Sequence, residues 1–225
     1  MSTTQAARLR ALLKAEQMVI APGAYDAITA RIIAQAGFPA VYMTGAGTAA
    51  SLGYPDFGLV TMTEMVANAA RIVRAVDVPL IADADTGYGN ELNVVRTVQE
   101  HERAGTSGIH IEDQVSPKKC GHLDDKEIVP REEFAAKIRA AVAARRDPDF
   151  LVIARTDSRA GAGLDEAIAR GTLALEAGAD MVFVEAPQTL EEMAAGPRLV
   201  RGPCLLKVVR GGKSPEINLL QAHTM

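Results

Sequence analysis

The sequence predicts an α/β fold, a (β/α)₈ TIM-type barrel that is truncated after its seventh strand. Two observations lead to this prediction: seven short apolar runs occur in series, and stretches with helical periodicity separate them. Strands that are apolar on both faces and alternate with helices are typical of parallel sheets covered on both sides. Seven such units in series favour a barrel over an open, doubly wound sheet.

Each element follows from its local pattern. Leu9, Leu12 and Leu13 share one face of a helix predicted over 4–16, and Pro22-Gly23 ends the first predicted strand. Asn90 is well placed to cap the helix that begins at Glu91. The predicted strands are 18–21, 39–43, 80–83, 108–112, 150–154, 181–184 and 204–208. The predicted helices after the first are 26–37, 63–76, 91–104, 131–145, 163–177 and 190–195, and 214–225 looks like the start of another.

The length fits one domain over residues 1–225 with a substantial core, since 48% of the residues are hydrophobic and 23% are charged. An eighth strand with its helix would need roughly thirty more residues, the size of one βαβ unit. We therefore expect a barrel that lacks its eighth unit and has an open seam with a bared apolar surface. Weak stability or partner-dependent folding would follow.

Composition narrows the classes of function. A net charge of −4, four Tyr, five Phe and no Trp argue against a nucleic-acid partner. No membrane span is predicted, the N-terminus lacks the apolar core of a signal peptide, and two distant cysteines make no disulfide framework, so the cytoplasm is the expected location. Cys120 is then a free thiol, and Cys204 is expected to be a small buried hydrophobic residue.

The stretch 81–122 carries the strongest chemical signal. Asp83 and Asp85 stand two residues apart at the end of an apolar run, so that in a strand both carboxylates would point to one face, and Glu112 ends the next strand. Oxygen ligands of this kind suit Mg²⁺, or alternatively Mn²⁺, better than Zn²⁺. The alternative for the aspartates is helix capping, for which Asn90 is better placed, and the alternative for Glu112 is an ion pair with a lysine.

The run 118–122, KKCGH, brings two lysines, a thiol and a histidine towards the same edge. A cysteine after two lysines is expected to have a stabilised thiolate and so to serve as acid, base or nucleophile, and without an orienting partner the general acid is the better assignment. Gly121 and Pro117 make this loop a plausible hinged lid. The alternatives are an exposed thiol at Cys120 and a surface residue at His122.

In a barrel of this type, catalytic groups lie at the carboxyl ends of the strands. Arg155 either pairs with Asp157 or binds a substrate carboxylate. Residues 44–47 form either a tight turn or a nest of backbone N–H groups that could bind an anion. His110 is either a core histidine or a substrate contact. The residues predicted at these ends are Tyr42, Thr44, Gly45, Ala46, Asp83, Asp85, Glu112, Arg155, Glu185 and Lys207.

Three motifs together, DADTGYG, HIEDQ and KKCGH, resemble the isocitrate lyase and phosphoenolpyruvate mutase family, most closely its 2-methylisocitrate lyase and 2,3-dimethylmalate lyase branch. The resemblance extends from about Pro22 to Gly212. It implies a Mg²⁺-dependent carbon–carbon lyase that cleaves a 2-hydroxy di- or tricarboxylate, of the 2-methylisocitrate or 2-alkylmalate type, to a 2-oxo acid such as pyruvate and a carboxylate. It also implies a homotetramer with exchanged C-terminal helices.

The resemblance also assigns roles. Asp85 would ligate the metal most directly, Asp56, Asp83 and Glu112 would act mainly through ordered waters, and Cys120 would protonate the carbanion left by a retro-aldol-like cleavage. The residues implied to hold the 2-oxo acid half are Tyr42, Thr44, Gly45, Ala46 and Arg155. Those implied to face the carboxylate half are Lys118, His122 and Glu185.

Several alternatives stay open. Lys207 stands where the family usually has an asparagine that contacts the substrate, so the identity of the 2-hydroxy acid is undetermined. An oxaloacetate decarboxylase or a carboxyphosphonoenolpyruvate mutase-like enzyme would share the metal site. A truncated, non-catalytic protein that binds metal and 2-oxo acid is the alternative from another class.

Overall fold

The computed structural model describes residues 3–15 and 18–225. Seven parallel strands form one sheet in which each strand pairs with its neighbours in sequence. The strands are β1 Gly23–Ala24, β2 Val41–Met43, β3 Leu80–Asp83, β4 Gly108–Glu112, β5 Leu151–Thr156, β6 Met181–Val184 and β7 Cys204–Leu205. The helices are α1 Gln5–Lys14, α2 Ala27–Gln35, α3 Gly45–Ser51, α4 Met62–Ala75, α5 Glu91–Ala104, α6 Arg131–Ala144, α7 Arg159–Ala162, α8 Leu164–Glu176, α9 Leu190–Leu199 and α10 Leu219–His223.

The order of the strands distinguishes a barrel from a doubly wound sheet. A doubly wound sheet reverses its strand order at a switch point, whereas here the order runs from β1 to β7 without reversal. A twisted parallel sheet with this order curls into a partial barrel whose two edge strands are β1 and β7. The predicted α/β fold of the TIM type, with seven strands in series, is confirmed.

The core has two parts because each strand presents alternate side chains to opposite faces. The larger part lies between the sheet and the outer helices and includes Val41, Ala82, Ile109 and Val152. The smaller part fills the concave side, where α1 contributes Leu9; its buried members are Leu9, Ala40, Ile81, Leu151, Ile153, Met181 and Phe183. The concave face therefore has an apolar floor, above which the polar strand ends lie.

The first predicted strand is wrong in position. Pairing occurs at Gly23 and Ala24 instead of 18–21, and the amide of Tyr42 donates to the carbonyl of Pro22 at 3.0 Å. Val19 and Ala21 do pack on the concave core cluster, so the apolar run over 18–21 correctly indicated burial but did not indicate strand pairing. At the other edge β7 ends at Leu205, three residues before the predicted end at Val208, whereas β5 continues two residues beyond its predicted end to Thr156.

Two helices were not predicted, α3 and the short α7, and α9 continues through Pro197 to Leu199. Glycine and alanine dominate the sequence of α3, GAGTAAS, which gives no apolar stripe to detect. Within the part of the chain described, no helix is both long enough and apolar enough to cross a membrane.

Candidate active site

Charged side chains are buried where β3, β4 and β5 end. Asp83 is 4% exposed, Glu112 is 0% exposed and Arg155 is 2% exposed. Burial of ionised groups is costly unless they are paired, so the partners of each group define the site. The predicted convergence of strand ends on one mouth is what the structure shows for these three residues.

Arg155 is the central cation of this mouth. Its Nε and Nη2 donate to the two carboxylate oxygens of Asp157 at 2.9 and 3.0 Å. Its Nη1 lies 3.1 Å from Oε2 of Glu112, and its Nη2 lies 3.0 Å from Oε2 of Glu185. The pairing with Asp157, one of the two alternatives raised by the sequence, is therefore present. Binding of a substrate carboxylate by Arg155 stays a prediction.

Asp83 and Asp85 do not share a strand face as expected. The strand ends at Asp83, and Asp85 has a φ of 46°, in the left-handed region, so strand alternation no longer applies. The amide of Asp85 donates to Oδ1 of Asp83 at 3.0 Å. Burial, reinforced by the neighbouring charge of Asp83, raises the pKa of Asp85 to about 6 in spite of the nearby Lys118.

The ammonium of Lys118 lies among these carboxylates. Its Nζ is 2.5 Å from Oδ1 of Asp56 and 2.8 Å from Oδ1 of Asp85, and its side chain is 3% exposed. The loop that carries Lys118 therefore inserts a positive charge between two of the predicted metal ligands. Asp56 itself comes from the loop between α3 and α4.

The donor set suits a hard divalent cation. Among residues 3–15 and 18–225, no group of three or more His, Cys, Asp or Glu residues is close enough to hold a metal ion by itself. Oε1 of Glu112 is nevertheless buried without a hydrogen-bond partner in the described part of the chain, and burial raises the pKa of this carboxyl. Mg²⁺ commonly uses one or two protein carboxylates, with waters and substrate oxygens completing its octahedron, which fits a set in which Asp85 is the direct ligand.

The loop with Cys120 is fastened over the mouth. The amide of Cys120 donates to the carbonyl of Asp56 at 3.0 Å. The side chain of Gln114 exchanges two hydrogen bonds with the backbone of Lys119, at 2.8 and 3.0 Å. A Cβ on Gly121 would lie 2.4 Å from Cγ of Glu185 and 2.6 Å from Nη2 of Arg155. Only glycine allows the loop to approach the site this closely.

The expectation of a lysine-stabilised thiolate at Cys120 is wrong. Burial, together with the charges of Asp56 and Glu185, raises the pKa of the Cys120 thiol above its ordinary value. The two preceding lysines direct their charges elsewhere: Nζ of Lys118 reaches the carboxylates, and Nζ of Lys119 donates to the carbonyl of Asp125 at 2.9 Å. A thiol that stays protonated at neutral pH is suited to the predicted role of acid.

Glu185 links three of the predicted residues. Its Oε1 lies 3.3 Å from Nε2 of His122, and its Oε2 lies 2.6 Å from Nζ of Lys207. Burial opposes ionisation of Glu185, but Arg155 and Lys207 outweigh it and lower the pKa to about 2. The side chain of His122 is only 14% exposed, and its Nδ1 accepts from the amide of Lys213 at 3.0 Å, so it is not a surface residue. Lys207 lies beyond the end of β7.

His110 and Tyr42 form a buried pair on the concave face. The hydroxyl of Tyr42 lies 2.7 Å from Nε2 of His110, and the two rings are stacked. Burial lowers the pKa of His110 to about 4, so the ring is neutral at physiological pH. Nδ1 of His110 has no hydrogen-bond partner among the described residues. A contact of either residue with substrate stays a prediction.

Residues 44–47 form neither of the two predicted structures, since they begin the helix α3. Oγ1 of Thr44 accepts from the amide of Gly47 at 3.2 Å, and the amide of Gly45 donates to Oδ2 of Asp83 at 3.2 Å. A Cβ on Gly45 would lie 2.5 Å from the same oxygen. Gly45 thus fixes the Asp83 carboxylate; substrate binding by Thr44, Gly45 and Ala46 stays a prediction.

Two supporting carboxylates were not assigned a role from the sequence. Asp113 is fully buried and accepts hydrogen bonds from Oγ1 of Thr156 at 2.6 Å, from the amide of Asp157 at 2.8 Å and from Nη1 of Arg170 at 3.1 Å. It follows Glu112 at the end of β4, and reading the residue after each strand end would have found it. Asp157 appeared in the sequence only as the alternative partner of Arg155.

Comparison with known proteins agrees with this geometry. A family model described as phosphoenolpyruvate phosphomutase matches residues 9–224. The chain is 56% identical over 211 residues to 2,3-dimethylmalate lyase of Eubacterium barkeri, covering 93% of this chain and 73% of the relative. It is 46% identical over 213 residues to 2-methylisocitrate lyase of Aeropyrum pernix, covering 95% of this chain and 68% of the relative.

Solved structures give the same result. A crystal structure of 2,3-dimethylmalate lyase superposes with a TM-score of 0.95 at 43% identity, covering 100% of this chain and 76% of that one. Oxaloacetate acetylhydrolase bound to 3,3-difluorooxalacetate also superposes with a TM-score of 0.95, at 42% identity. The match covers 99% of this chain and 77% of that one. Phosphonopyruvate hydrolase with oxalate and Mg²⁺ superposes with a TM-score of 0.81, at 38% identity. The match covers 89% of this chain and 70% of that one. The chain belongs to the phosphoenolpyruvate mutase/isocitrate lyase family.

Proposed function

We propose that the chain is a Mg²⁺-dependent carbon–carbon lyase. Its substrate is a 2-hydroxy di- or tricarboxylate of the 2-alkylmalate or 2-methylisocitrate type, and its products are a 2-oxo acid such as pyruvate and a second carboxylate. The observation that carries the proposal is the thiol-bearing loop seated directly over the buried carboxylates Asp85 and Glu112. The identity of 56% to a 2,3-dimethylmalate lyase supports this choice of substrate class.

Asp85 is proposed as the direct ligand of the metal, and Asp83, Glu112 and Asp56 are proposed to act through its waters. When bound, a divalent cation supplies Lewis acidity that lowers the pKa of the substrate hydroxyl and offsets the negative charge that develops on its oxygen. A solved relative with Mg²⁺ and oxalate supports a metal at this mouth. The ammonium of Lys118 contacts Asp56 and Asp85 and offsets part of their negative charge.

The remaining residues bind substrate and exclude water. Arg155, whose guanidinium is oriented by three carboxylates, is proposed to bind the 2-oxo acid half, next to Tyr42 and the start of α3. His122 and Glu185 lie on the side of the mouth that is closed by the loop, where the carboxylate half departs.

Cys120 supplies the proton. Cleavage of the carbon–carbon bond leaves an electron pair on the carbon next to the departing carboxylate, and this carbanion must gain a proton before it re-adds to the 2-oxo acid. The raised pKa keeps the Cys120 thiol protonated until that moment. The closed loop limits access of water, so that the thiol is the nearest proton donor.

Three broader expectations belong to the same proposal. The chain works as a single barrel domain, it assembles into a homo-oligomer, a tetramer by analogy with the family, and it acts in the cytoplasm. These expectations rest on family membership. The small carboxylates named as ligands of its relatives support a small carboxylate as the molecule that the chain binds.

The test is release of 2-oxo acid, coupled to lactate dehydrogenase, from 2-alkylmalates, 2-methylisocitrate, isocitrate and oxaloacetate, with Mg²⁺ or with EDTA. Metal-dependent release from one 2-hydroxy acid is expected. Pyruvate from oxaloacetate alone would indicate a decarboxylase, and oxalate with acetate would indicate the reaction named for the acetylhydrolase relative. Folded protein that is silent on the whole panel would reject the lyase proposal in favour of a binding protein.

A further inference from the structure

Lys126 is a buried cation at the far end of the loop that carries Cys120. Its side chain is 2% exposed, although the neighbouring residues of the loop lie at the surface. An ammonium group is buried at high cost unless it is paired, so a lysine side chain at this position requires anionic or carbonyl partners. Lys126 was not among the residues that the sequence indicated.

The partners of Lys126 join the loop to the site. Its Nζ donates to the carbonyl of Gly121, five residues earlier in the same loop, and lies 3.6 Å from Oδ1 of Asp157, just beyond β5. The first contact closes the loop on itself, next to Cys120. The second fastens the loop to the carboxylate that grips Arg155 with both oxygens.

The charges around Arg155 explain why this contact matters. Three carboxylates, Glu112, Asp157 and Glu185, surround the single guanidinium. Lys126 adds positive charge at Asp157, and it does so only while the loop is closed. Lys207 already pairs with Glu185, so Lys126 is the third cation for three carboxylates. Opening the loop would leave the buried carboxylate of Asp157 without this partner, which is costly.

The two halves of the loop have separate anchors. Lys118 fastens the first half to Asp56 and Asp85. The second half has Lys126, the contact of His122 with Glu185 at 3.3 Å, and an ion pair from Lys213 to Asp124. The side chain of Asp124 is 83% exposed, and an exposed pair of this kind contributes little. His122 forms an ion pair only when its ring is protonated, so Lys126 is the main permanently charged anchor of the second half among the described residues.

We propose that Lys126 is a latch, a positioning residue whose ion pair with Asp157 holds the loop closed and keeps the Cys120 thiol over the mouth. The inference deepens the proposed function, because it rests on Cys120 as the proton donor. Since Asp157 orients Arg155 as well, one carboxylate ties closure of the loop to the orientation of the guanidinium.

The test uses three variants in a Cys204→Ser background, so that Cys120 is the single thiol. Lys126→Met removes both contacts, Lys126→Gln keeps a donor for the Gly121 carbonyl but loses the charge, and Lys126→Arg keeps the charge. Lys137→Met is the matched control, because the Lys137 side chain is 5% exposed and contacts Glu133 at 3.7 Å, away from the loop. The readouts are the rate of Cys120 alkylation by a maleimide without substrate, then kcat and KM.

Lys126→Met and Lys126→Gln are expected to speed alkylation at least about tenfold, a modest effect for breaking a buried ion pair. They should also lower kcat more than they change KM. Lys126→Arg should restore the alkylation rate and kcat of the parent, and Lys137→Met should leave the alkylation rate and kcat unchanged. Circular dichroism and urea unfolding show whether each variant is folded; if Lys126→Met is not, Lys126→Gln carries the test.

Alkylation rates of the Met and Gln variants equal to those of Lys137→Met would overturn the latch, as would a Lys126→Arg variant no different from Lys126→Gln. The two proposals fail separately. Faster alkylation in a chain that cleaves no 2-hydroxy acid would keep the latch and reject the lyase. Normal lyase turnover with unchanged alkylation would reject the latch alone.

Discussion

A cysteine that donates a proton late in a reaction must retain that proton in the resting site. At Cys120 burial raises the pKa of the thiol, and the ammonium groups of Lys118 and Lys119 are committed to Asp85 and to the carbonyl of Asp125. The local sequence alone suggests the opposite, because two adjacent lysines would stabilise a thiolate in an open loop. The direction in which each lysine side chain points therefore decides the protonation state of the Cys120 thiol.

Replacement of Cys120 by serine tests the role of the acid. A serine hydroxyl is far less acidic than a thiol, so kcat is expected to fall by roughly 10²–10⁴-fold, the usual contribution of general acid catalysis. Mg²⁺-dependent binding of oxalate, followed by calorimetry, should persist because Cys120 is not a proposed ligand. Cys204→Ser is the control and should retain the parent kcat. Equal turnover in Cys120→Ser and the parent would show that another group delivers the proton.

His101 is expected to make the folded state less stable at acidic pH. It is fully buried on α5, and neither ring nitrogen has a hydrogen-bond partner among the described residues. Burial lowers the pKa of His101 to about 4. Between the pKa of the unfolded chain, about 6.5, and this value, the unfolded state binds a proton that the folded state does not, so stability falls as the pH falls.

His101→Leu should remove the contribution of His101 to this pH dependence and leave that of His110, whose pKa burial also lowers to about 4. From pH 7.5 to pH 5 the parent is expected to lose about 2 kcal/mol more of its free energy of unfolding than the variant, as measured by urea denaturation at both pH values. His223→Leu, at an exposed position of α10, is the control and should follow the parent. If His101→Leu loses the same amount as the parent, other groups set the acid limit.

At the scale of elements, the loop over the mouth depends on one glycine. A Cβ at residue 121 would overlap Glu185 and Arg155, and their mutual ion pair prevents either from moving cheaply. Gly121→Ala should therefore lift the loop and lower kcat by about 100-fold, the effect of a misplacement of about 1 Å, with a small change in the free energy of unfolding. Gly161→Ala is the control, because a Cβ added at this position of α7 would meet no other part of the described chain within 4 Å. Parent-like kcat in Gly121→Ala would mean that the loop closes differently.

Local signals explain which elements the sequence predicted. The predicted bounds of α5, β3, β4 and β6 match the structure, since caps and apolar runs act within a few residues; Asn90 caps α5 as expected. The first strand was misplaced because pairing depends on β2, and α3 was missed because its glycines and alanines carry no periodicity.

The candidate site likewise contains residues that the sequence predicted and contacts that it could not predict. Strand ends can be read from apolar runs, which is how Asp83, Glu112 and Arg155 were found, and the structure places all three together. Contacts of loops cannot be read in this way. The approach of Lys126 to Asp157 and the left-handed backbone at Asp85 depend on how separate loops pack, and neither has a sequence pattern of its own.

At the scale of the whole molecule, the mouth connects elements that are distant in sequence. Asp56 comes from the loop before α4, Asp85 follows β3, Glu112 ends β4 and Glu185 follows β6. A ligand bound among these residues crosslinks much of the sheet, so its binding free energy adds to the stability of the whole domain. Lys118 already lies between Asp56 and Asp85, so a divalent cation at Asp85 must compete with this ammonium.

Thermal unfolding with and without ligands tests this coupling. Mg²⁺ and oxalate together, each at about 100 times its dissociation constant, should stabilise the chain by about 5.4 kcal/mol, twice the value of about 2.7 kcal/mol that either ligand supplies alone at that ratio. Asp85→Asn should lose the ligand-dependent shift in Tm, whereas Asp165→Asn, at an exposed position in the first turn of α8, should keep it. An equal shift in Asp85→Asn and the parent would exclude Asp85 as the direct ligand and move the metal towards Asp83 or Glu112, away from the Lys118 ammonium.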